Sequence, residues 1–281
     1  MPIPEREKQP SAVANLKWLM TDDGSRTLWN EDLNETYHSG CGAVSETLWV
    51  YLKNSGIPGR AHGDERSIRV FEFGFGTGTS FILTAAYAAC HGLDLEYFAI
   101  EKNLLPASIL AELELRPSVQ ALPLEFTKEL EPYIALSDRF LEAVDSIQDS
   151  LTSTFQTMSP IANEWNELEY SSGHGISDAK CTLQLYLGDA CDNRWHELLE
   201  EPEQQTGIDA IFFDAFSPET NPELWQSDVF RRAYDILKPG GTLTSYCVKS
   251  RVQKGLHSVG FSIEKLPGPP GGKREVLRAV K

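Results

Sequence analysis

The 281-residue sequence has no apolar run near the roughly 18–20 residues that a membrane-spanning helix needs. Its opening stretch, Met1 to Pro10, is polar and proline-bearing and lacks the apolar core of a signal peptide. These absences argue against a membrane partner and predict a cytoplasmic protein with a disordered tail over residues 1–15. Paired cysteines are missing too. Cys41, Cys90, Cys181, Cys191 and Cys247 are odd in number and scattered, with no C-x-x-C. That pattern argues against a zinc site and a disulfide framework, so no metal is expected and the thiols read as small core residues. Positive charge is scarce: 25 Lys and Arg against 41 Asp and Glu leave a net −16, which opposes a nucleic-acid partner. The scarcity is uneven. Residues 231–281 hold eleven basic residues against Asp235, Glu264 and Glu275, a local +8, and leave −24 on the first 230.

What is present is an alternation of short apolar strands and helical stretches. Residues 16–30 read as a hairpin, Leu16 to Met20 and Thr27 to Trp29 around Asp23-Gly24, since Asp-Gly between apolar runs favours a tight turn. Val44, Leu48, Tyr51 and Leu52 give one apolar side of a helix that stops near Gly56 and Pro58. Strands follow at Ile68–Phe73, Leu95–Glu101, Thr182–Leu187, Ile208–Phe213 and Thr242–Cys247. Helices are expected over Thr79–Cys90, Pro222–Leu237 and Val252–Val259, the second stopped by Lys238-Pro239-Gly240-Gly241. A closing strand pair occupies Ser262–Leu266 and Glu275–Val280. Strands joined by helical crossovers predict an α/β fold, a mostly parallel sheet with helices on both faces. The organisation expected is a unit over 16–66 packed on a domain over 67–281. Within the latter, residues 111–180 are acidic and read as a middle insertion, loop-like around Ser171 to Gly175, with helix at Arg139–Ile147. Such an insertion would gate a site or form a solvated surface.

Glu72-Phe73-Gly74-Phe75-Gly76-Thr77-Gly78 closes one strand and opens a helix. Glycines there let backbone turn sharply and approach a ligand at the carboxyl ends of the strands. Thr79 stands where a dinucleotide fingerprint has its third glycine, and the acid ahead of the loop suits a cationic ligand better than a phosphate. Glu101, 23 residues beyond Gly78, ends the second strand and can accept from ribose hydroxyls. Asp189 follows the third strand and can accept from an adenine amino group. Each acid alone also fits a strand-end cap; three at successive strand ends point to S-adenosylmethionine. Phe212 and Phe213 run into Asp214-Ala215-Phe216-Ser217-Pro218. Asp214 can hold an amine by a charge-assisted hydrogen bond and help take its proton, and Phe216 can stack on a base or the cofactor. Tyr37 and His38 are candidates to cover that cofactor or contact the substrate, though a lone His in a loop also fits a surface hydrogen-bonder. Lys249, Arg251, Lys254, Lys273, Arg274 and Arg278 form a basic set suited to a polyanion or to an ordinary solvated face.

From Thr21 to Lys281, outside the middle insertion, the chain resembles the methyltransferase domain of MnmC-type enzymes. The likeness is carried by Asp23-Gly24-Ser25, Glu35-Thr36-Tyr37-His38-Ser39, Glu72 to Gly78, Glu101-Lys102 and Gly188-Asp189. Its narrowest pieces are Asp214 to Pro218 with Asn221-Pro222 and Trp225, then Gly272-Lys273-Arg274-Glu275. The resemblance implies a class I Rossmann-like methyltransferase fold, an S-adenosyl-L-methionine donor and tRNA as partner, with the 5-aminomethyl group of a wobble uridine as acceptor. It places Asp214 beside the reacting amine and Phe216 with it. The cofactor set becomes Tyr37, His38, Glu72, Gly74, Phe75, Gly76, Thr77, Gly78, Glu101, Lys102, Asp189 and Asp214. Lys249, Arg251, Lys273 and Arg274 become the substrate-binding set. Bifunctional family members add an FAD-dependent oxidase after this domain, so methylation alone is expected of this chain. An N-methyltransferase of a small molecule or protein with the same cofactor site, and a non-catalytic cofactor-binding module, are the other readings the residues allow.

Overall fold

The computed structural model describes residues 6–60, 66–170, 178–199 and 207–281. The expected loop at Ser171 to Gly175 and the start of the expected tail lie outside them. Four short strands form a first antiparallel sheet in the order β1 (Lys8–Pro10), β2 (Leu16–Met20), β3 (Arg26–Asn30), β4 (Glu35–Thr36). The expected hairpin is β2–β3, with Leu16 opposite Asn30 and Met20 opposite Arg26. Within the expected disordered tail, Lys8–Pro10 instead pairs with β2, where backbone hydrogen bonds outweigh the poor strand propensity of the sequence.

The helix that follows begins as α1 (Ala43–Glu46) and continues with π-helical winding over Thr47–Lys53. It is buried from Ala43 through Leu52, so all of its faces, not one side, meet protein. The Asp-Gly turn explains where it starts. Asp23 is buried and accepts from Ser25 N and from Ser45 N, both at 2.9 Å. Ser25 Oγ accepts from Ala43 N at 2.9 Å and Val44 N at 3.1 Å. The turn therefore caps a helix distant in sequence, satisfying amide groups that the first helical turn leaves without partners. A short α2 (Ile57–Arg60) ends this unit.

The second sheet starts with β5 (Ser67–Phe73), followed by α3 (Thr79–His91) and β6 (Asp94–Glu101). Helices α4 (Ala107–Ala111), α5 (Leu115–Gln120), α6 (Leu124–Leu130) and α7 (Asp138–Thr157) come next. Then come β7 (Trp165–Tyr170), β8 (Cys181–Leu187), α8 (Arg194–Leu199) and β9 (Ile208–Phe213). A 3-10 turn at Pro222–Trp225 precedes α9 (Ser227–Ile236), so the expected single helix is two pieces. The chain closes with β10 (Leu237–Ser245), α10 (Ser250–Ser258), β11 (Ser262–Pro267) and β12 (Glu275–Val280). Lys238 to Gly241 lie inside β10 as an irregularity rather than ahead of it, and the register with β9 shifts between Leu237 and Thr242.

The sheet order is β11-β12-β10-β9-β5-β6-β8-β7. The five central strands are parallel; β7 and β12 run against them, and β11 pairs antiparallel with β12. From β5 the chain builds outward through β6 and β8, then returns to the other side through β9 and β10. The strand order thus reverses between β5 and β9, where α/β sheets bind ligands. Alternation along each strand sorts the core into two layers. Val70, Tyr97, Ala99, Ala210 and Phe212 face α3, α7 and the N-terminal helix; Phe71, Phe98, Ile211 and Phe213 face α9 and α10.

In the region read as an insertion, the helix expected at Arg139–Ile147 is part of a longer one. Helix α7 spans twenty residues and buries Phe140, Leu141, Val144, Ile147 and Leu151. Leu151 reaches the glycine loop, where a Cβ on Gly78 would lie 3.2 Å from its methyl. The acidic composition belongs to the outer face of an amphipathic helix, whose buried stripe supports the loop from beneath.

Candidate cofactor and acceptor site

The carboxyl ends of β5, β6 and β9 surround a cavity of about 260 Å³. Its walls include Tyr37, His38, Glu72, Gly74, Phe75, Gly76, Thr77, Glu101, Lys102, Asp189, Asp214 and Phe216. Nearly every residue of the expected cofactor set is thus brought to one place; Gly78 lies just behind, at the left-handed start of α3. Gly74 has φ +89, and a Cβ there would come 2.9 Å from the carbonyl oxygen of Asp214. Two chain segments meet at the reversal point so closely that only glycine fits.

Glu72 and Asp214 follow the alternation of adjacent strands β5 and β9 onto the same face of the sheet. Glu72 is 1% exposed, and its Oε2 has no hydrogen-bond partner. Burial, then the charge of Asp214, holds its carboxyl well above the ordinary range. An acid lining a cavity with an unused acceptor oxygen fits a ligand that brings a cation or an N–H. Glu101 Oε2 accepts from Gly76 N at 2.9 Å, and its Oε1 from Asn103 N at 2.8 Å. Burial raises this carboxyl, while those backbone donors hold it back. The glycine loop and the carboxylate on the next strand are thereby locked together. Both oxygens keep lone pairs for hydroxyl donors. Across the cavity Asp189 is tied to Lys102 Nζ at 2.8 Å, and this bond lowers its pKa. Lys102 is thus placed as the partner of Asp189.

Phe75 packs on Phe81 and Phe155, and Thr77 Oγ1 bonds Thr79 Oγ1 at 2.8 Å, so both shape the loop from inside. Tyr37 lies edge-on to Phe216, ring centroids 5.1 Å apart. Burial and the charge of Glu101 push the Tyr37 phenol up to about 12, so it is a neutral donor. His38 is buried with Nδ1 3.2 Å from Thr27 Oγ1, and burial lowers its pKa, keeping the ring neutral.

A second chamber of about 100 Å³ shares Tyr37, His38, Asp214, Ala215 and Phe216 with the first. Its remaining walls are Glu35, Thr36, Ser39, Glu46, Tyr246 and Lys273. Asp214 Oδ1 accepts from Tyr51 Oη at 2.5 Å. Burial and then the charge of Glu46 raise its carboxyl well above the usual range, while the Tyr51 bond and Lys273 pull it down. The loop carrying Asp214 is clamped along its length. Tyr246 Oη donates to Ala215 O at 3.0 Å, Trp225 Nε1 to Phe216 O at 2.9 Å, and Ser217 N to Glu35 Oε1 at 2.8 Å.

Of the expected substrate-binding residues, Lys273 lines the second chamber. Lys249 and Arg251 both pair with Glu219 on the surface, and Arg274 is exposed. Arg278 pairs with Glu264, so neighbouring acids offset much of the local positive excess. The sequence does not single out Glu46 and Tyr246, and it offers Tyr51 only as part of a helix's apolar side. A usable signal exists for two of them: Glu46 is an acid, and Tyr51 a hydroxyl-bearing ring five residues on, in a helix that also holds Val44, Leu48, Trp49, Val50 and Leu52. The π-helical winding, seen in Asn54 N bonding Trp49 O, hydrogen-bonds residues five apart and suits that spacing.

A family profile described as S-adenosyl-L-methionine-dependent methyltransferase matches residues 154–281. The MnmC "tRNA 5-methylaminomethyl-2-thiouridine biosynthesis bifunctional protein" of Ralstonia nicotianae is 29% identical over 252 residues, 88% of this chain and 32% of that protein. Its counterpart in Aromatoleum aromaticum is 29% identical over 263 residues, covering 92% and 34%. The chain thus spans about a third of the length of these curated relatives. Among solved structures, MNMC2 from Aquifex aeolicus superposes with a TM-score of 0.64 at 25% identity, covering 98% of this chain and 71% of that one. The orphaned Glu72 oxygen, the glycine cradle and the acids at the reversal point accompany these likenesses: over residues 154–281 the chain is similar to S-adenosyl-L-methionine-dependent methyltransferases, and over most of its length to the methyltransferase part of MnmC-type proteins.

Proposed function

We propose that this chain methylates the primary amine of a 5-aminomethyluridine at the wobble position of tRNA, giving 5-methylaminomethyluridine in the cytoplasm. The observation that carries the reading is the position of Asp214. It stands at the wall shared by the two cavities, fixed by Tyr51, with the cofactor acids on one side and an acidic chamber on the other. The names of the curated relatives support tRNA as the carrier.

S-adenosyl-L-methionine supplies a methyl group activated by a sulfonium. Glu72 would take its amino group, Glu101 its ribose hydroxyls, and the glycine loop its close backbone contacts. An alkylamine is mostly protonated at neutral pH, with a pKa of about 10, and cannot attack in that form. Asp214 holds the amine by a charge-assisted hydrogen bond and accepts the proton it must lose. A carboxylate whose pKa is raised is a better base for that purpose than an exposed one. Phe216 and Tyr37 form the aromatic wall against which a uracil ring can stack. The target base would leave its stack to enter, as enzymes acting on bases in nucleic acids require.

Asp214→Ala is expected to keep cofactor affinity and lose turnover by roughly a hundredfold or more, the scale of general acid–base catalysis. Mass analysis of wobble nucleosides from hypomodified tRNA, incubated with protein and cofactor, measures it. Normal methylation by the variant would refute the role of Asp214. One observation favours a small-molecule amine instead: the −16 net charge, with Lys249, Arg251 and Arg278 already paired. A tRNA gel shift across a salt series separates the two, because phosphate contacts weaken steeply with salt.

A further inference from the structure

Glu46 is a buried acid beside the reacting position that has a cation of its own. One of its oxygens accepts from Ser39 N at 2.7 Å; the other faces Lys273 Nζ at 3.5 Å. The Glu46 side chain is 6% exposed, whereas that of Lys273 is 38% exposed. The same ammonium lies 4.0 Å from the ring centroid of Tyr246, and Glu46, Tyr246, Asp214 and Lys273 all line the second chamber. A long ion pair plus an aromatic face is how a protein holds a primary alkylammonium without enclosing it.

Lys273 is also well placed to leave. It sits at the end of Gly268-Pro269-Pro270-Gly271-Gly272, the loop joining β11 to β12, with Gly271 at φ +77. The loop is anchored behind it by Gly268 N to Arg274 O at 3.0 Å and by Trp49 Nε1 to Pro267 O at 3.0 Å. A four-carbon side chain can swing outward from such an anchor without unfolding the hairpin.

We propose that Glu46, Tyr246 and Asp214 form a subsite for a primary ammonium group, and that Lys273 fills it until the acceptor's own ammonium takes its place. Identifying that acceptor as an aminomethyl group rests on the function proposed above. The exchange swaps one ammonium for another, so Glu46 is never left as an uncompensated buried charge, the costly state for an ion in a protein interior. An acceptor bearing a hydroxymethyl group in place of the amine cannot make the exchange. The subsite thereby selects for charge at a point where size alone discriminates weakly.

Chemical rescue of Lys273→Met tests it. Without its ammonium the variant is expected to melt at a lower temperature than the wild type. Methylammonium chloride should restore the loss, and tetramethylammonium chloride at matched ionic strength should not, having no N–H to donate. Wild type should respond to neither. Adding Glu46→Gln to Lys273→Met should remove the rescue. Should Lys273→Met not fold, Lys273→Gln, neutral and hydrogen-bonding, serves in its place. In calorimetry with the free nucleosides, Lys273→Met should bind 5-aminomethyluridine roughly fivefold to tenfold more tightly than wild type, with 5-hydroxymethyluridine unchanged. Equal response to the two ammonium salts, or weaker binding of the aminomethyl nucleoside, would overturn the proposal. Rescue without any methylation of aminomethyl-tRNA by wild type would instead remove the tRNA reading and keep the subsite; methylation without rescue would do the reverse.

Discussion

The two cavities that meet at Asp214 are built in different ways. The cofactor side is made from consecutive residues at strand ends: Glu72 to Gly78, Glu101-Lys102, Gly188-Asp189. Its polarity comes largely from backbone and from acids fixed by backbone, as where Gly76 N and Asn103 N hold Glu101. The acceptor side is assembled from pieces far apart in sequence: Glu35 to Glu46, Tyr51, Asp214 to Ser217, Tyr246 and Lys273. Three of its side-chain bonds cross 163 to 227 positions, Tyr51–Asp214, Ser217–Glu35 and Lys273–Glu46, and Tyr246–Ala215 crosses 31. A site made of backbone tolerates little change of shape, whereas one made of side chains tolerates exchange of its parts.

The largest expected effect therefore lies at Gly74. Gly74→Ala would force a left-handed backbone on a residue with a Cβ and push that Cβ against the Asp214 carbonyl. Such strain costs about 1–3 kcal/mol, and relief by separating β5 from β9 would deform both cavities at once. Calorimetry should find cofactor binding lost and chemical denaturation a lower midpoint. An alanine variant that binds cofactor like wild type would show that the close approach is not required.

Glu72 divides function from stability. Its unpartnered Oε2 and raised pKa mark a group that destabilises the unliganded protein. Glu72→Gln removes the buried charge, so the variant should melt higher without cofactor, yet bind cofactor roughly a hundredfold more weakly, in line with about 2–5 kcal/mol for a buried charged pair. A variant neither more stable nor weaker in binding would mean that Glu72 is only a structural acid. On the acceptor side, Glu35→Gln should weaken the clamp on Ser217 and Thr220. Turnover is expected to fall about tenfold, the equivalent of one charge-assisted hydrogen bond, with cofactor affinity unchanged. If both fall together, the two cavities are not separable at this loop.

That contrast also decides what was legible in the sequence. Alternation of apolar residues and glycine punctuation disclosed the five parallel strands and the loop after β5, because local backbone chemistry dictates them. The structural role of Asp23-Gly24-Ser25 was only half visible. The turn could be read, but its capping of a helix twenty residues on depends on tertiary approach. In residues 111–180 the acidic composition suggests a gate or a solvated surface with helix only at Arg139–Ile147, while the full length of α7 and its buried stripe, Phe140 to Leu151, show themselves only in the packing against α3, α4 and α5. The basic C-terminal quarter is legible only as a charge excess. A charge count cannot see that Glu219, Glu264 and Glu46 lie beside Arg251, Arg278 and Lys273.

The smallest effect expected concerns His38, which belongs to both cavities. Burial lowers its pKa below the ordinary 6.5, against the opposing pull of Glu46 and then Asp23. The folded chain thus declines a proton that the unfolded chain accepts. As pH falls below about 6.5 the unfolded state gains that proton first, so the His38 contribution to stability declines and levels off below its folded pKa. Glu72 and Asp214, raised in the fold, act with the opposite sign at lower pH, since there the folded state binds protons first. The slope of the wild type alone therefore mixes the two. The difference between wild type and His38→Gln, followed by denaturation from pH 7.5 to 5, isolates the histidine: wild type should lose stability relative to the variant as pH falls. A pH-independent difference would mean that His38 takes up its proton in place, and that the wall between the cavities is wetter than its burial indicates.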